Sequence, residues 1–151
     1  MDEPEGIITA VCISACKGER KHAVAQVQCR AEYGIEGDAH AGPGPRQVSF
    51  LAAADIATMR TDTFEPQAGD FAENVIVDGP VLTGVRVGDG LEVVDGPCFE
   101  VTMIGKQCHD SGCAIRRATG TCIMPTKGVF GRVVTGGTLR PGQLLRRATG
   151  T

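Results

Sequence analysis

The sequence predicts a mainly β domain, closed or nearly closed into a barrel, with one substantial helix; a sandwich is the alternative. Three observations lead there. Short apolar runs recur along the chain, several alternating with period two. Glycine makes up 21 of 151 residues, about twice its usual ~7% share, and with proline it punctuates those runs. Tryptophan is absent and aromatics are 4%, so valine, isoleucine, leucine and alanine must fill the core. The spacing suits about seven to nine strands, and closing them into a barrel removes unpaired edges. A single domain spanning 1–151 is long enough to bury a real core.

The elements follow in chain order. Gly6 to Ser14 reads GIITAVCIS and is apolar in both alternating sets, as in a strand buried on both faces or nearly so. A basic turn, Cys16 to His22, leads to a second strand from Ala23 to Ala31, and the pair forms a hairpin. Tyr33 to Gly44 is a Gly-rich loop. Arg46 to Leu51 is a strand, and Ala52 to Met59, free of Gly and Pro, is the helix. Val75 to Val77 is a strand ending at the turn Asp78-Gly79-Pro80. Val85 to Val93 is a turn between two strands. Phe99, Val101 and Met103 alternate against Glu100 and Thr102 in a half-buried strand. Val129 to Val134 is another strand, Gly136-Gly137 a hairpin-type turn, and Leu139 to Arg146 closes the chain. The hexapeptide Arg116 to Thr121 recurs at Arg146 to Thr151, but two copies do not make a repeat architecture.

Charge and cysteine usage narrow the class. A formal net charge of −3 argues against general nucleic-acid binding. Seven cysteines, an odd number, exclude a complete set of internal disulfides. The acidic start, Met1 to Glu5, carries no apolar signal core, and no apolar run is long enough to span a bilayer. The expectation is a soluble cytoplasmic protein with reduced thiols and no membrane partner.

The chemistry concentrates between Gly105 and Pro125, where Cys108, Cys113 and Cys122 sit with His109 and Lys106 on a Gly-rich, polar stretch. Four readings compete. Cys113 or Cys108 is a reactive thiolate, favoured by Lys106, His109, Arg116 or Arg117, that carries sulfur or ligates a soft metal such as molybdenum. The three cysteines and a histidine hold structural zinc, against which stands the Cys-x4-Cys-x8-Cys spacing. Two thiols form a redox disulfide, without the Cys-x-x-Cys spacing. Or the thiols are inert packing, which the polar surroundings oppose. Elsewhere, Lys17, Arg20, Lys21 and His22 gather at the first hairpin tip, as a solvated turn or a phosphate grip. Asp38 and His40, two apart in GDAHAG, bind metal, orient a base or close a turn. No Gly-Lys-Ser/Thr follows, so the loop is not of the Walker type.

Taken together, ISACKGERKHAV, GIEGDAHAGPGPRQVSF, AGDFAENVIVDG, VRVGDGLEV, EVTMIGKQCHDSGCAI, GTCIMPTKGVFGRV and GGTLRPGQL resemble the stand-alone bacterial MOSC domain proteins. That family is named for the C-terminal domain of molybdenum-cofactor sulfurases. The motifs run in family order from about Gly6 to Leu145.

The resemblance implies a MOSC-type β-barrel with one or few short helices, and binding of the molybdenum cofactor, a pterin dithiolene with a phosphate tail. It implies that Cys113, in Cys113-Ala114-Ile115, carries sulfur as a persulfide or ligates molybdenum. Cys108 and His109 are then the nearest assistants, Cys108 as a resolving thiol. Lys17, Lys21, His22, Arg46 and Arg132 are expected to converge with Lys106 on one anion-gripping cleft. Asp38, His40, Gln47, Glu73 and Asn74 are expected around it, His40 and Asn74 against the pterin edge. No pyridoxal-phosphate desulfurase domain is recognised, so no pyridoxal-phosphate site is expected and a partner, such as a cysteine desulfurase, must supply sulfur. The alternatives are a reductase of N-hydroxylated compounds served by an electron-donor protein, and a zinc-stabilised binding module without catalysis.

Overall fold

The computed structural model describes residues 4–17, 19–105 and 127–148. Its strands are β1 (Glu5–Ile13), β2 (His22–Val24), β3 (Val27–Arg30), β4 (Gly34–Ile35), β5 (Val48–Ala52) and β6 (Val75–Asp78), then β7 (Gly90–Val93), β8 (Cys98–Ile104), β9 (Val129–Thr135), β10 (Gly137–Leu139) and β11 (Leu144–Ala148). One α-helix, α1 (Ala53–Ala57), and a 3₁₀ turn at Pro80–Leu82 complete the described elements.

β1 decides the architecture. One of its edges pairs with β6 and the other, at Glu5–Ile7, with β11 near the opposite end of the chain. Seven strands among the described residues thereby close into a ring, β1-β11-β7-β8-β9-β5-β6. The barrel reading holds and the sandwich does not. Every neighbouring pair is antiparallel except β5–β6. That parallel pair requires a crossover, and α1 with the long 58–74 connection supplies it. β2 continues from the far end of β1, and β10, β3 and β4 form a separate three-stranded sheet.

The interior is filled by β-branched and aromatic side chains, with Phe50 and Phe99 meeting edge to face at 5.1 Å. β5, β6 and β9 are covered on both faces. Phe50, Val75 and Val129 point into the barrel, while their neighbours Leu51, Ile76 and Phe130 pack outside against Ile56 and Phe71. This is why these strands read as continuous apolar runs.

Several expectations change. β1 is buried mainly on one face: Ile7 is 44% exposed, and a bulge between Ile8 and Ala10 shifts the phase so that Ile8 and Val11 both reach the core. The predicted strand from Ala23 to Ala31 breaks at Ala25–Gln26, because β2 joins the barrel sheet and β3 the small one. The hairpin itself stands, with Val11 opposite Val24 and Ile13 opposite His22. Only Gly90–Val93 of the Val85 to Val93 segment is strand. The helix is five residues rather than eight; Ile56 is its one buried residue, and Thr58 closes it by donating to the Asp55 carbonyl at 2.6 Å.

Gly136-Gly137 is not a hairpin turn, since β10 pairs with β3 and not with β9. Its glycines answer close backbone approach instead. A Cβ on Gly136 would stand 2.7 Å from the Cys29 carbonyl oxygen.

Candidate functional site

The β1–β2 turn and the Gly-rich loop after β4 meet through one buried cation. The Lys21 and Asp38 side chains have no exposed surface, and Nζ lies 2.7 Å from Asp38 Oδ1. The other neighbours of Nζ are Ser14 Oγ at 3.2 Å and His40 Nδ1 at 3.1 Å. An ammonium has three donors, and all three have partners here. Asp38 also accepts from the backbone N–H groups of Ser14 and His40, each at 3.1 Å. Ala39 N–H donates to the Ser14 carbonyl at 2.8 Å and locks the two loops together.

A second turn holds Lys21 from behind. Lys21 N–H donates to the Gly69 carbonyl at 2.8 Å. Gly69 has φ +90°, and a Cβ there would fall 2.0 Å from the Lys21 carbonyl oxygen, so only glycine fits. Fully buried Glu73 secures this turn by accepting from Gly69 N–H at 2.9 Å and Phe71 N–H at 3.0 Å. Burial pushes the Glu73 carboxyl up to about 7, against the opposing pull of those N–H donors.

In front of the network lies an open pocket of about 540 Å³. Lys17, His40 and Arg46 line it, with the 41–45 backbone as one wall and Met103 as another. The Thr102 hydroxyl donates to the Pro45 carbonyl and ties that wall to β8. No carboxylate is among the described lining residues, so the pocket is cationic in an acidic protein. β8 ends one residue past Met103, and Gly105 N–H then donates to the Gly128 carbonyl at 2.7 Å. Gly105, two residues beyond Met103 of the lining, is thus joined to Gly128.

Lys106, Cys108, His109 and Cys113 lie outside the described residues. Of the others, the structure brings Lys17, His40 and Arg46 together around the pocket, joins Lys21 and Asp38 to His40, and leaves the rest out of the lining. Lys21 is behind the wall, held by Asp38, rather than open to an anion. His22 is on β2 and does not line the pocket. Arg132 sits on β9, paired with Glu100 at 2.7 Å and with Glu32. Gln47 is buried and accepts from Val133 N–H at 2.9 Å. Asn74 does not face the pocket: its oxygen accepts from Ser49 N–H and Oγ, and its amide donates to the Cys12 carbonyl at 3.0 Å. Asp38, Gln47, Glu73 and Asn74 thus brace backbone. Sequence reasoning missed Met103, Ser14 and Gly69; the AGDFAEN motif marked the Gly69 turn without its purpose.

All four described thiols are raised. Burial pushes Cys12 and Cys29 up to about 12 and raises Cys98, while a hydrogen bond with Glu19 raises exposed Cys16. None of these four sits in a thiolate-favouring setting. Among the described residues, no three His, Cys, Asp or Glu side chains cluster as a metal site, and no helix is long and apolar enough to cross a membrane.

No family model matches the chain, and no curated protein matches it in sequence. Solved structures match it in shape. The YUAD protein from Bacillus subtilis superposes with a TM-score of 0.78 at 15% identity, covering 97% of this chain and 97% of that one. YiiM from Escherichia coli gives 0.65 at 16% identity, over 100% and 71% of the two chains. YiiM from Geobacillus stearothermophilus gives 0.63 at 18%, over 95% and 73%. At such identities the likeness speaks for the fold, which is a mainly β, MOSC-type barrel with one short helix among the described residues.

Proposed function

We propose that the chain binds a phosphate-tailed pterin, the molybdenum cofactor, in the cationic pocket. Cys113 acts on it from the 106–126 segment, as a sulfur carrier or as a molybdenum ligand. The observation that supports this reading is that Lys17, Arg46 and His40 line one pocket with Met103, two residues before Gly105 in the chain. The pocket's residues suit such a ligand. Lys17 offers a point charge and Arg46 a planar fork for phosphate oxygens. The volume of about 540 Å³ is of small-cofactor size. The cofactor, when bound, supplies soft-metal and sulfur chemistry. This chain contributes charge neutralisation, ring-edge hydrogen bonds and a thiolate. A cysteine desulfurase or an electron-donor protein is the matching partner, according to whether the chain carries sulfur or reduces N-hydroxylated compounds.

The test is protein purified from a host that makes the cofactor. Molybdenum and zinc are measured by elemental analysis, and pterin by fluorescence after oxidation. The reading expects pterin and molybdenum in comparable amounts. Lys17→Ala and Arg46→Ala should lower pterin content with an unchanged melting temperature, and Cys113→Ser should lose molybdenum retention or sulfur acceptance. Stoichiometric zinc without pterin overturns the reading in favour of a zinc-stabilised module. Turnover of an N-hydroxylated amine with an electron donor separates reductase from carrier.

A further inference from the structure

Lys17 and Arg46 line the same pocket but stand on segments with separate anchors. Arg46 is fixed to the barrel. On one side of it, Pro45 is tied to β8 through the Thr102 hydroxyl; on the other, the Gln47 side chain accepts from Val133 N–H of β9 at 2.9 Å. Lys17 belongs to the β1–β2 turn, between Ser14 and Lys21. We propose that the buried Lys21–Asp38 pair is a positioning pair for the pocket: it holds the Lys17 turn at the distance where Lys17 and Arg46 grip one anion together. This rests on the anion-binding pocket proposed above.

Asp38 takes hold of both ends of the Lys17 turn. Its Oδ1 accepts from Ser14 N–H at 3.1 Å and from Lys21 Nζ at 2.7 Å. Nζ also donates to Ser14 Oγ at 3.2 Å, and that hydroxyl donates to the Cys16 carbonyl, one residue before Lys17, at 3.2 Å. On the loop side, Oδ2 accepts from His40 N–H and the Asp38 carbonyl accepts from Ala41 N–H, each at 3.1 Å. One buried carboxylate thus sets the backbone on either side of Lys17 against the residues that begin the facing wall.

Neither Lys21 nor Asp38 lines the pocket, and both side chains are fully buried. Lys21→Met/Asp38→Asn therefore leaves Lys17, His40 and Arg46 in the chain and removes one charge of each sign, so the net charge is unchanged. What it removes is the fixed spacing. A second cation strengthens binding of a multivalent anion only when both reach it without rearrangement. An affinity change alone would also follow from altering His40, whose Nδ1 lies 3.1 Å from Nζ; the energetic coupling between Lys17 and Arg46 reports the spacing itself.

Inorganic pyrophosphate is the probe, titrated by calorimetry well below the melting temperature. It is measured with wild type, Lys17→Ala, Arg46→Ala and the two alanines combined, and with the same set built on Lys21→Met/Asp38→Asn. In wild type each single alanine should weaken binding about tenfold. The combined loss should fall short of the product of the two by at least about fivefold, the mark of a shared anion. On the Lys21→Met/Asp38→Asn background, affinity should already be about tenfold lower, and the two alanine effects should multiply to within about twofold. A pair that only stabilises the fold would lower the melting temperature and leave the coupling at its wild-type size; that result overturns the proposal. So does a wild type that shows no coupling or binds no pyrophosphate. If the double variant does not fold, Ser14→Ala takes its place: it keeps the ion pair, cuts the link to the Cys16 carbonyl, and must reduce the coupling for the proposal to stand. Coupling in a protein that purifies without pterin would sink the cofactor reading and leave the positioning role intact; pterin retained without coupling does the reverse.

Discussion

Replacing Lys21 by methionine keeps the length of the side chain and removes its charge. The change strips Asp38, whose carboxylate is fully buried, of its only 2.7 Å ionic partner. Two backbone N–H donors at 3.1 Å remain, too few for a buried anion. Ser14 Oγ and His40 Nδ1 lose a donor as well. Breaking one side of a buried pair costs roughly 3–5 kcal/mol. For a chain of this length each kcal/mol moves the melting temperature by about 2–4 °C, so the expected fall is about 6–20 °C. Lys21→Met/Asp38→Asn removes both charges, and its loss should be smaller than the summed single losses by about 1–3 kcal/mol. Urea unfolding of wild type, both single variants and the double variant closes the cycle. A single-variant loss below about 1 kcal/mol, or a double variant equal to the sum within about 0.5 kcal/mol, refutes the reasoning.

Glu73 should make stability pH-dependent. Its folded carboxyl, at about 7, lies above the ordinary 4.5, so the folded protein holds a proton that the unfolded chain releases. This contribution is complete below the lower value and is lost as pH rises through the upper one, by up to about 3 kcal/mol at roughly 1.4 kcal/mol per unit. Urea midpoints at pH 5 and 8 should differ more in wild type than in Glu73→Gln; equal differences count against it. Gly69→Ala should cost at least about 2 kcal/mol, since it combines a left-handed φ with a backbone clash; calorimetry showing no change removes that account. Asn74→Ala should cost about 2–5 kcal/mol by orphaning buried groups on β1 and β5, with pterin affinity unaltered. Unchanged stability with weakened binding would return Asn74 to the pocket.

Much of the fold was legible because its signals are local. The alternation of Phe99 and Val101 against Glu100, and the apolar run of β5, report period two and two-sided burial within a few residues. The pocket was legible in part, as Lys17, His40 and Arg46 fall in polar, Gly-rich segments where side chains point out of the core. Lys17 and Lys21 looked alike in sequence, four residues apart on one basic turn. Whether each faces solvent or Asp38 depends on a loop that arrives from beyond β4.

The sequence by itself determined that this chain is strand-rich, thiol-bearing and punctuated by turns, because composition and short-range periodicity carry that information. Tertiary structure alone decided that the strands close, since closure rests on β1 meeting β11 across nearly the whole chain. It alone sent Gly136-Gly137 across to a second sheet and turned Glu73, Asn74 and Gln47 inward. The physical reason is common to all of these. A hydrogen bond between residues distant in sequence leaves no periodic trace in either segment, and a polar side chain declares its role only when its partner has arrived.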